Sequence, residues 1–174
     1  GRTWLCRGKR QSDGKLVLIK GSVSEQSAKE LAEMRHEHVI IQALKIDGVL
    51  KSEELVACET GSVLILENTD ALPLRKLMDQ ARIDLLGSLK VAVSLTSTLK
   101  EVHQQGIIHK MINPLSIFVD PALGTVKLTC FGQASRLPRE NPMTFDSQLT
   151  GETLPFISPE QTGRVNRAVD YRSD

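Results

Sequence analysis

The sequence predicts an α+β protein made of two unlike sections. Up to residue 67 it holds short strand-like runs interrupted by a single helical stretch. The apolar residues that follow recur mainly at helical spacing. Between these patterns lies the polar segment ENTDALP, residues 67–73, which we call the hinge. We therefore expect a β-rich N-terminal section, residues 1–67, and a mainly helical C-terminal section, residues 68–174.

The N-terminal section begins with two strand-like runs, TWLCRGKR and KLVLIKGS, around the turn signal SDG at residues 12–14. This arrangement predicts an antiparallel hairpin. Next, SEQSAKELAEMRHEHVIIQALK has apolar residues near helical spacing, and Ser24 is suited to capping the helix start. The section then returns to strand character on both sides of the turn ETGS, residues 59–62.

The C-terminal section contains two predicted helices, LRKLMDQA and LLGSLKVAVSLTSTLKEVHQQG, the second ending at the C-capping Gly106. Short strands are predicted at IIH, SIFVD and TVKLTCF. Residues 136–153 are polar and lack periodicity, which indicates a long loop. Long loops in compact domains are usually functional or disordered.

Composition excludes several classes of protein. The chain is 40% hydrophobic and 25% charged, with 22 Lys and Arg against 21 Asp and Glu. A net charge of +1 gives no global field to attract nucleic acid or an anionic membrane. The apolar runs are too short to span a bilayer, and no signal peptide is present, so we expect a cytoplasmic location. The three cysteines form neither a disulfide framework nor a zinc motif, and we predict that Cys6 and Cys58 are buried.

Several short motifs follow one another in an informative order. Lys20 ends the strand-like VLIK, and Glu37 follows seventeen residues later in the predicted helix. His109 opens the stretch HKMINPLS, CFG follows at residues 130–132, and SPE at residues 158–160. Each motif alone is weak, since a strand-end lysine is usually solvated. Phosphoryl transfer, however, uses a strand lysine, a helix glutamate and two later metal-binding positions in this order.

With these motifs the chain resembles the protein-kinase fold, a two-lobed α+β structure, over nearly its whole length. The segment ISPEQTGRVNRAVDYRSD resembles one branch of this family, the kinase-like domain at the N-terminus of multidomain hybrid sensor histidine kinases of bacteria and fungi. The resemblance implies that both ends fall short of a complete domain, since GRTW matches the tail of the glycine-rich loop. It implies that the partners are other domains of the same sensor protein, with no nucleic acid and no membrane contact from this segment.

Three departures from the family pattern fall on the groups that carry the chemistry. Met111 stands in place of the catalytic Asp, Ser116 in place of the metal-binding Asn, and Cys130 in place of the metal-binding Asp. A thioether has no useful basicity, and Mg²⁺ prefers hard oxygen ligands to a thiol. We therefore expect no intact catalytic residue, no metal site and an inactive, regulatory or scaffolding pseudokinase. The alternative is a serine/threonine kinase with residual or atypical phosphotransfer.

The resemblance implies a nucleotide site at Lys20, Glu37, Glu67 and Thr69, with backbone groups of the last two facing the adenine. Two outcomes stay open. ATP binds without Mg²⁺, with Lys20 on a phosphate, or no cofactor binds and the Lys20–Glu37 pair only fixes the helix to the sheet. Cys130 also has two interpretations, a small apolar filler or a redox-sensing thiol, and the second needs positive charge nearby to lower its pKa.

Overall fold

The computed structural model describes residues 3–22, 28–58, 61–122, 124–137 and 153–174. In the N-terminal section four antiparallel strands form one sheet in the order β1-β2-β4-β3. The strands are β1 (Thr3–Lys9), β2 (Leu16–Ser22), β3 (Ser52–Cys58) and β4 (Gly61–Glu67). Helix α1 (Ala28–Ala43) packs against β3 and β4. The predicted N-terminal hairpin and helix are both confirmed, although Ser24 lies outside the described residues.

The hairpin turn follows from one glycine. Gly14 has a φ of 71°, a left-handed conformation that costs glycine little. Its N–H donates to the Arg10 carbonyl at 2.9 Å, and the Arg10 N–H donates to the Lys15 carbonyl at 2.8 Å. Strands β1 and β2 then pair in register from Thr3↔Ser22 to Lys9↔Leu16.

The C-terminal section is built on two helices and short strands. The helices are α2 (Leu74–Asp79) and α3 (Leu85–Gln104). The strands are β5 (Leu72–Pro73), β6 (Ile107–Ile108), β7 (Ile117–Val119), β8 (Val126–Leu128) and β9 (Ser135–Arg136). Strands β5, β7 and β8 form one antiparallel sheet, and β6 pairs with β9. Short 3-10 turns occupy Phe131–Gln133, Leu154–Phe156, Pro159–Thr162 and Tyr171–Ser173.

Helix α3 has the predicted ends. The Asp84 carboxylate accepts a hydrogen bond from the Gly87 N–H at 2.7 Å, which satisfies one of the free donors of the first turn. At the other end Gly106 has a φ of 71°, and its N–H donates to the His103 carbonyl at 2.9 Å. The left-handed conformation stops the helix and directs the chain into β6.

Two apolar clusters form the core, and the segment 44–50 connects them. One lies between the N-terminal sheet and α1, and the larger one joins the end of α1 to α3, β7 and β8. The Leu50 N–H donates to the Leu128 carbonyl at 2.8 Å, and the Leu128 N–H donates to the Gly48 carbonyl at 2.7 Å. A Cβ on Gly48 would lie 2.2 Å from Oγ1 of Thr98 in α3. The absence of a side chain at Gly48 therefore allows the two sections to approach.

Two predictions about the N-terminal and loop regions are wrong. Cys6 and Cys58 are exposed rather than buried. Cys6 lies on β1 and Cys58 ends β3, and both are edge strands of the sheet with little covering them. The predicted loop 136–153 begins one residue too early, because Arg136 still pairs with Ile107. Residues 138–152 lie outside the described residues. Among the helices that are described, none has the length and apolar character needed to cross a membrane.

Candidate functional site

The centre of the candidate site is an ion pair between β2 and α1. Nζ of Lys20 lies 2.6 Å from Oε2 of Glu37, and the two side chains are only 11% and 4% exposed. Strand register carries Lys20 to the inner face of the sheet, and helical periodicity places Glu37 on the buried face of α1. The seventeen-residue spacing in the sequence therefore does bring these two residues together.

The second oxygen of Glu37 connects α1 to the segment after β8. Oε1 accepts a hydrogen bond from the Cys130 N–H at 3.0 Å, and the Thr129 hydroxyl lies 3.5 Å from it. Cys130 adopts the left-handed conformation, with φ 69° and ψ 46°. Its backbone N–H and thiol thus both face the ion pair, and Sγ lies 3.6 Å from Nζ of Lys20.

We call Lys20, Glu37 and Cys130 the Lys20 cluster. Its electrostatics keep Lys20 charged and Cys130 neutral. Burial by itself would lower the pKa of Lys20, but the sulfur of Cys130, once ionised at high pH, and the carboxylate of Glu37 raise it by more, so the net pKa of the ammonium is raised. Burial raises the pKa of the Cys130 thiol, and Lys20 offsets that effect only in part. A thiol with a raised pKa lacks the thiolate character that redox sensing requires. The geometry thus favours the interpretation of Cys130 as a small filler.

His109 is fully buried beneath this cluster in one fixed tautomer. The Met111 N–H donates to Nδ1 at 3.2 Å, so Nδ1 carries no proton, and Nε2–H donates to the Thr129 carbonyl at 2.8 Å. The ring packs edge-on against Phe131, with centroids 4.4 Å apart. Burial lowers the pKa of His109, which agrees with a neutral imidazole.

Asp174 fixes the start of the loop 109–116 from a distant part of the chain. Its buried carboxylate accepts hydrogen bonds from the backbone N–H groups of His109, at 2.8 Å, and Lys110, at 2.6 Å. Nε2 of His103 lies 2.9 Å from the same carboxylate. Sequence reasoning did not assign this role, because nothing local marks a contact across more than sixty residues. The loop therefore depends on a carboxylate held at the far end of the described residues.

Ser116 serves the loop rather than an outside ligand. Its fully buried hydroxyl donates toward the carbonyls of Met111, at 2.8 Å, and Asn113, at 3.0 Å, and accepts from the Asn113 N–H at 3.0 Å. The Asn113 amide donates to the same Met111 carbonyl at 2.9 Å. The hydroxyl is thus committed to the turn. The polar contacts described for Met111 all involve its main chain.

The predicted hinge residues lie farther along the sheet. Strand β4 places Leu64 opposite Lys20 and Glu67 opposite Val17, so Glu67 stands about 10 Å from Leu64 along the strand. The Glu67 carboxylate pairs with Lys127 of β8 and accepts from the Lys51 N–H at 3.1 Å. The Thr69 carbonyl accepts from Nη2 of Arg7 at 2.7 Å. Glu67 and Thr69 thus make no described contact with the Lys20 cluster, and strand alternation places the Glu67 side chain on the opposite face of the sheet from Lys20 and Leu64.

The residues at the predicted metal positions do not fit Mg²⁺. Cys130 offers sulfur, which is a poor ligand for a hard cation, and the Ser116 hydroxyl already has its partners within the loop. Within the described ranges no group of three or more His, Cys, Asp or Glu side chains is placed to hold a metal ion. The cluster can offer a phosphate one buried ammonium, Lys20, and its one carboxylate, Glu37, is already engaged by Lys20 and the Cys130 N–H.

Comparison with known proteins gives two results. The family model for the protein kinase domain matches residues 4–174. A serine/threonine-protein kinase PDK1 of Cryptococcus neoformans var. grubii is 31% identical over 81 residues. That alignment covers 45% of this chain and 6% of the relative, so the chain spans only a small part of that protein's length.

Proposed function

The chain belongs to the protein kinase domain family, and from this premise we propose that it is a catalytically inactive member, a pseudokinase, which regulates or scaffolds by binding. The observation that carries the proposal is the chemistry of the side chains at the three positions where the family pattern has catalytic and metal-binding residues. A thioether stands at Met111, a fully committed hydroxyl at Ser116 and a neutral thiol at Cys130. General acid–base assistance alone is worth about 10²–10⁴-fold, and loss of the metal adds to that.

The surviving ion pair supports nucleotide binding without a metal. In a kinase-type site the strand lysine meets the phosphates while the helix glutamate orients it. Lys20 keeps its charge and its partner Glu37 here, so it remains able to bind a phosphate. We therefore propose Mg²⁺-independent ATP binding, with backbone groups of Glu67 and Thr69 on the adenine.

Calorimetric titration with ATP, with and without Mg²⁺, tests this function. We expect binding that Mg²⁺ does not strengthen, that weakens at least about tenfold in Lys20→Ala, and that is unchanged in Lys100→Ala, an exposed lysine of α3. A radiolabelled phosphotransfer assay should show no activity above that of Lys20→Ala. Absence of ATP binding would leave a scaffold that keeps only the fold, whereas Mg²⁺-dependent phosphotransfer would overturn the proposal.

Two observations favour the second candidate, a serine/threonine kinase with residual activity. The fungal relative carries that activity in its name, and the Lys20–Glu37 pair is intact. The two candidates differ in what a triple variant does. Met111→Asp, Ser116→Asn and Cys130→Asp together should create phosphotransfer where none existed if the chain is a pseudokinase. Activity already present in the unmodified chain would favour the kinase.

We also propose that the chain is a cytoplasmic module of a multidomain sensor histidine kinase, with the other domains of that protein as its partners. Two observations support this assignment. Residues 158–164 have the sequence SPEQTGR, and the chain matches only a small share of the fungal relative. Immunoblotting of native extracts with an antibody raised against the chain tests it. We expect a polypeptide far larger than 19.2 kDa, and a band at that mass would contradict the proposal.

A further inference from the structure

One arginine joins the N-terminal sheet to the hinge. Arg7 lies on β1 opposite Leu18 of β2, and Leu18 is two residues from Lys20 on the same strand. Strand alternation therefore places the side chains of Arg7, Leu18 and Lys20 on the inner face of the sheet. From this face Nη2 of Arg7 donates to the Thr69 carbonyl at 2.7 Å and to Oδ1 of Asp70 at 3.0 Å.

The contact with the Thr69 carbonyl is the stronger of the two that Arg7 makes with the hinge. The side chains of Arg7 and Asp70 are 52% and 92% exposed, and ion pairs between exposed side chains contribute little. A hydrogen bond from a charged guanidinium to a main-chain carbonyl is stronger than one between neutral groups. Arg7 therefore occupies the Thr69 carbonyl whether or not Asp70 stays in place.

Thr69 has one main-chain group left for a ligand. Its carbonyl accepts from Arg7, and its hydroxyl accepts from the Ala71 N–H at 3.1 Å. Its own N–H has no hydrogen-bond partner among the residues that the structure describes. A carbonyl oxygen has a second lone pair, but the positive guanidinium beside it repels a further N–H donor. A ligand at Thr69 should therefore present an acceptor and no donor next to it.

We propose that Arg7 sets the base selectivity of the proposed nucleotide site by occupying the Thr69 carbonyl. Adenine presents N1 as an acceptor between its 6-amino group and a C2–H. With N1 on the Thr69 N–H and the 6-amino group toward the Glu67 backbone, C2 faces the Thr69 carbonyl. A purine with an amino group at C2, such as guanine or 2,6-diaminopurine, brings a donor to a carbonyl that Arg7 already uses. Arg7 thus disfavours 2-amino purines, and this inference rests on the proposed ATP binding.

Calorimetric titration of the full chain with ATP and with 2-amino-ATP, the same nucleotide with one added amino group, tests the proposal. The unmodified chain should bind ATP about fivefold more tightly than 2-amino-ATP. In Arg7→Met, which keeps an apolar stem but lacks the guanidinium, the freed carbonyl accepts the 2-amino group, so this preference should disappear or reverse. Asp70→Asn is the matched control and should keep the preference, because it retains the bond between Arg7 and the Thr69 carbonyl.

The outcomes separate this inference from the proposed function. An equal preference for ATP in Arg7→Met and in the unmodified chain would overturn the inference and leave the proposed ATP binding intact. The absence of any preference in the unmodified chain would do the same. Loss of the preference in Asp70→Asn would also overturn it, because the ion pair rather than the occupied carbonyl would then carry the selectivity. Binding of neither nucleotide by the unmodified chain would overturn the proposed ATP binding, and this inference with it. A native-like melting curve of each variant confirms that it folds.

Discussion

Replacing Glu37 with alanine should destabilise the domain more than removal of any exposed carboxylate. Glu37 neutralises the nearly buried ammonium of Lys20 at 2.6 Å and accepts the Cys130 N–H at 3.0 Å. In Glu37→Ala the ammonium keeps its burial but loses its counter-charge, and the N–H loses its acceptor. Breaking a buried pair from one side costs about 3–5 kcal/mol, partly through such groups left unpaired.

We therefore expect the free energy of unfolding to fall by about 4 kcal/mol in Glu37→Ala. For a chain of this length that corresponds to a melting temperature lower by about 8–16 °C. The pKa of Lys20 is higher in the folded state than in the unfolded state, where it is about 10.4. The Lys20 charge therefore contributes its full stabilisation below about pH 10.4, and this stabilisation is lost only as pH rises through the folded-state pKa. In Glu37→Ala burial acts on Lys20 without the counter-charge and lowers its pKa, so the difference between wild type and variant should narrow as pH rises toward about 10.

Urea unfolding followed by circular dichroism measures the effect. Glu37→Gln should fall between wild type and Glu37→Ala, because an amide oxygen still accepts the Cys130 N–H while Lys20 stays unneutralised. The double variant Lys20→Met with Glu37→Leu should recover much of the loss, since no buried charge remains. Glu54→Ala, on the exposed face of β3, serves as the control and should change stability by less than about 0.5 kcal/mol. A Glu37→Ala loss below about 1 kcal/mol would refute the reasoning, because it would mean that water already solvates the pair.

Three further outcomes are expected. Burial lowers the pKa of His109, so as pH falls the unfolded state takes up a proton on this residue before the folded state does. The free energy of unfolding should therefore fall as pH drops below about 6.5. NMR should show the His109 ring still neutral at pH values where a free imidazole is protonated. Ser116→Ala should lower the free energy of unfolding in urea by about 1–3 kcal/mol, because it leaves the Asn113 N–H buried without an acceptor. Ser94→Ala should cost less, because the Ser94 hydroxyl accepts one hydrogen bond, from the part-buried Val126 N–H. Gly48→Ala should cost about 1–3 kcal/mol through contact with Thr98. Thr98→Ala in the same chain should relieve part of that cost, because it removes Oγ1 and Cγ2 but leaves Cβ 2.9 Å from the new methyl group; a cost that is equal in both backgrounds would contradict the contact.

The sequence predicted those parts of the fold that local pattern determines. The hairpin followed from a turn glycine between two strands, and α3 followed from apolar spacing that ends at Gly106. The Lys20–Glu37 contact was predictable because strand and helix periodicity each place one residue on an inner face.

The rest depends on contacts between distant segments. Burial of Cys6 and Cys58 could not be inferred, since it depends on which strands lie at the edges of the sheet. The carboxylate of Asp174 under the loop 109–116, and the fit of Gly48 against α3, have no local signal. The assignments of Glu67 and Thr69 to the adenine stay predictions.

The turn 111–116 is closed by main-chain groups and by the side chains of Asn113 and Ser116, while Asp174 holds the start of the loop. Met111 contributes only its N–H and carbonyl to the turn, while Ser116 and Asn113 close it from within. The shape of the loop therefore does not depend on which side chain stands at position 111. A substitution at position 111 should therefore change the chemistry that the loop can offer while leaving the polar contacts that shape the turn in place.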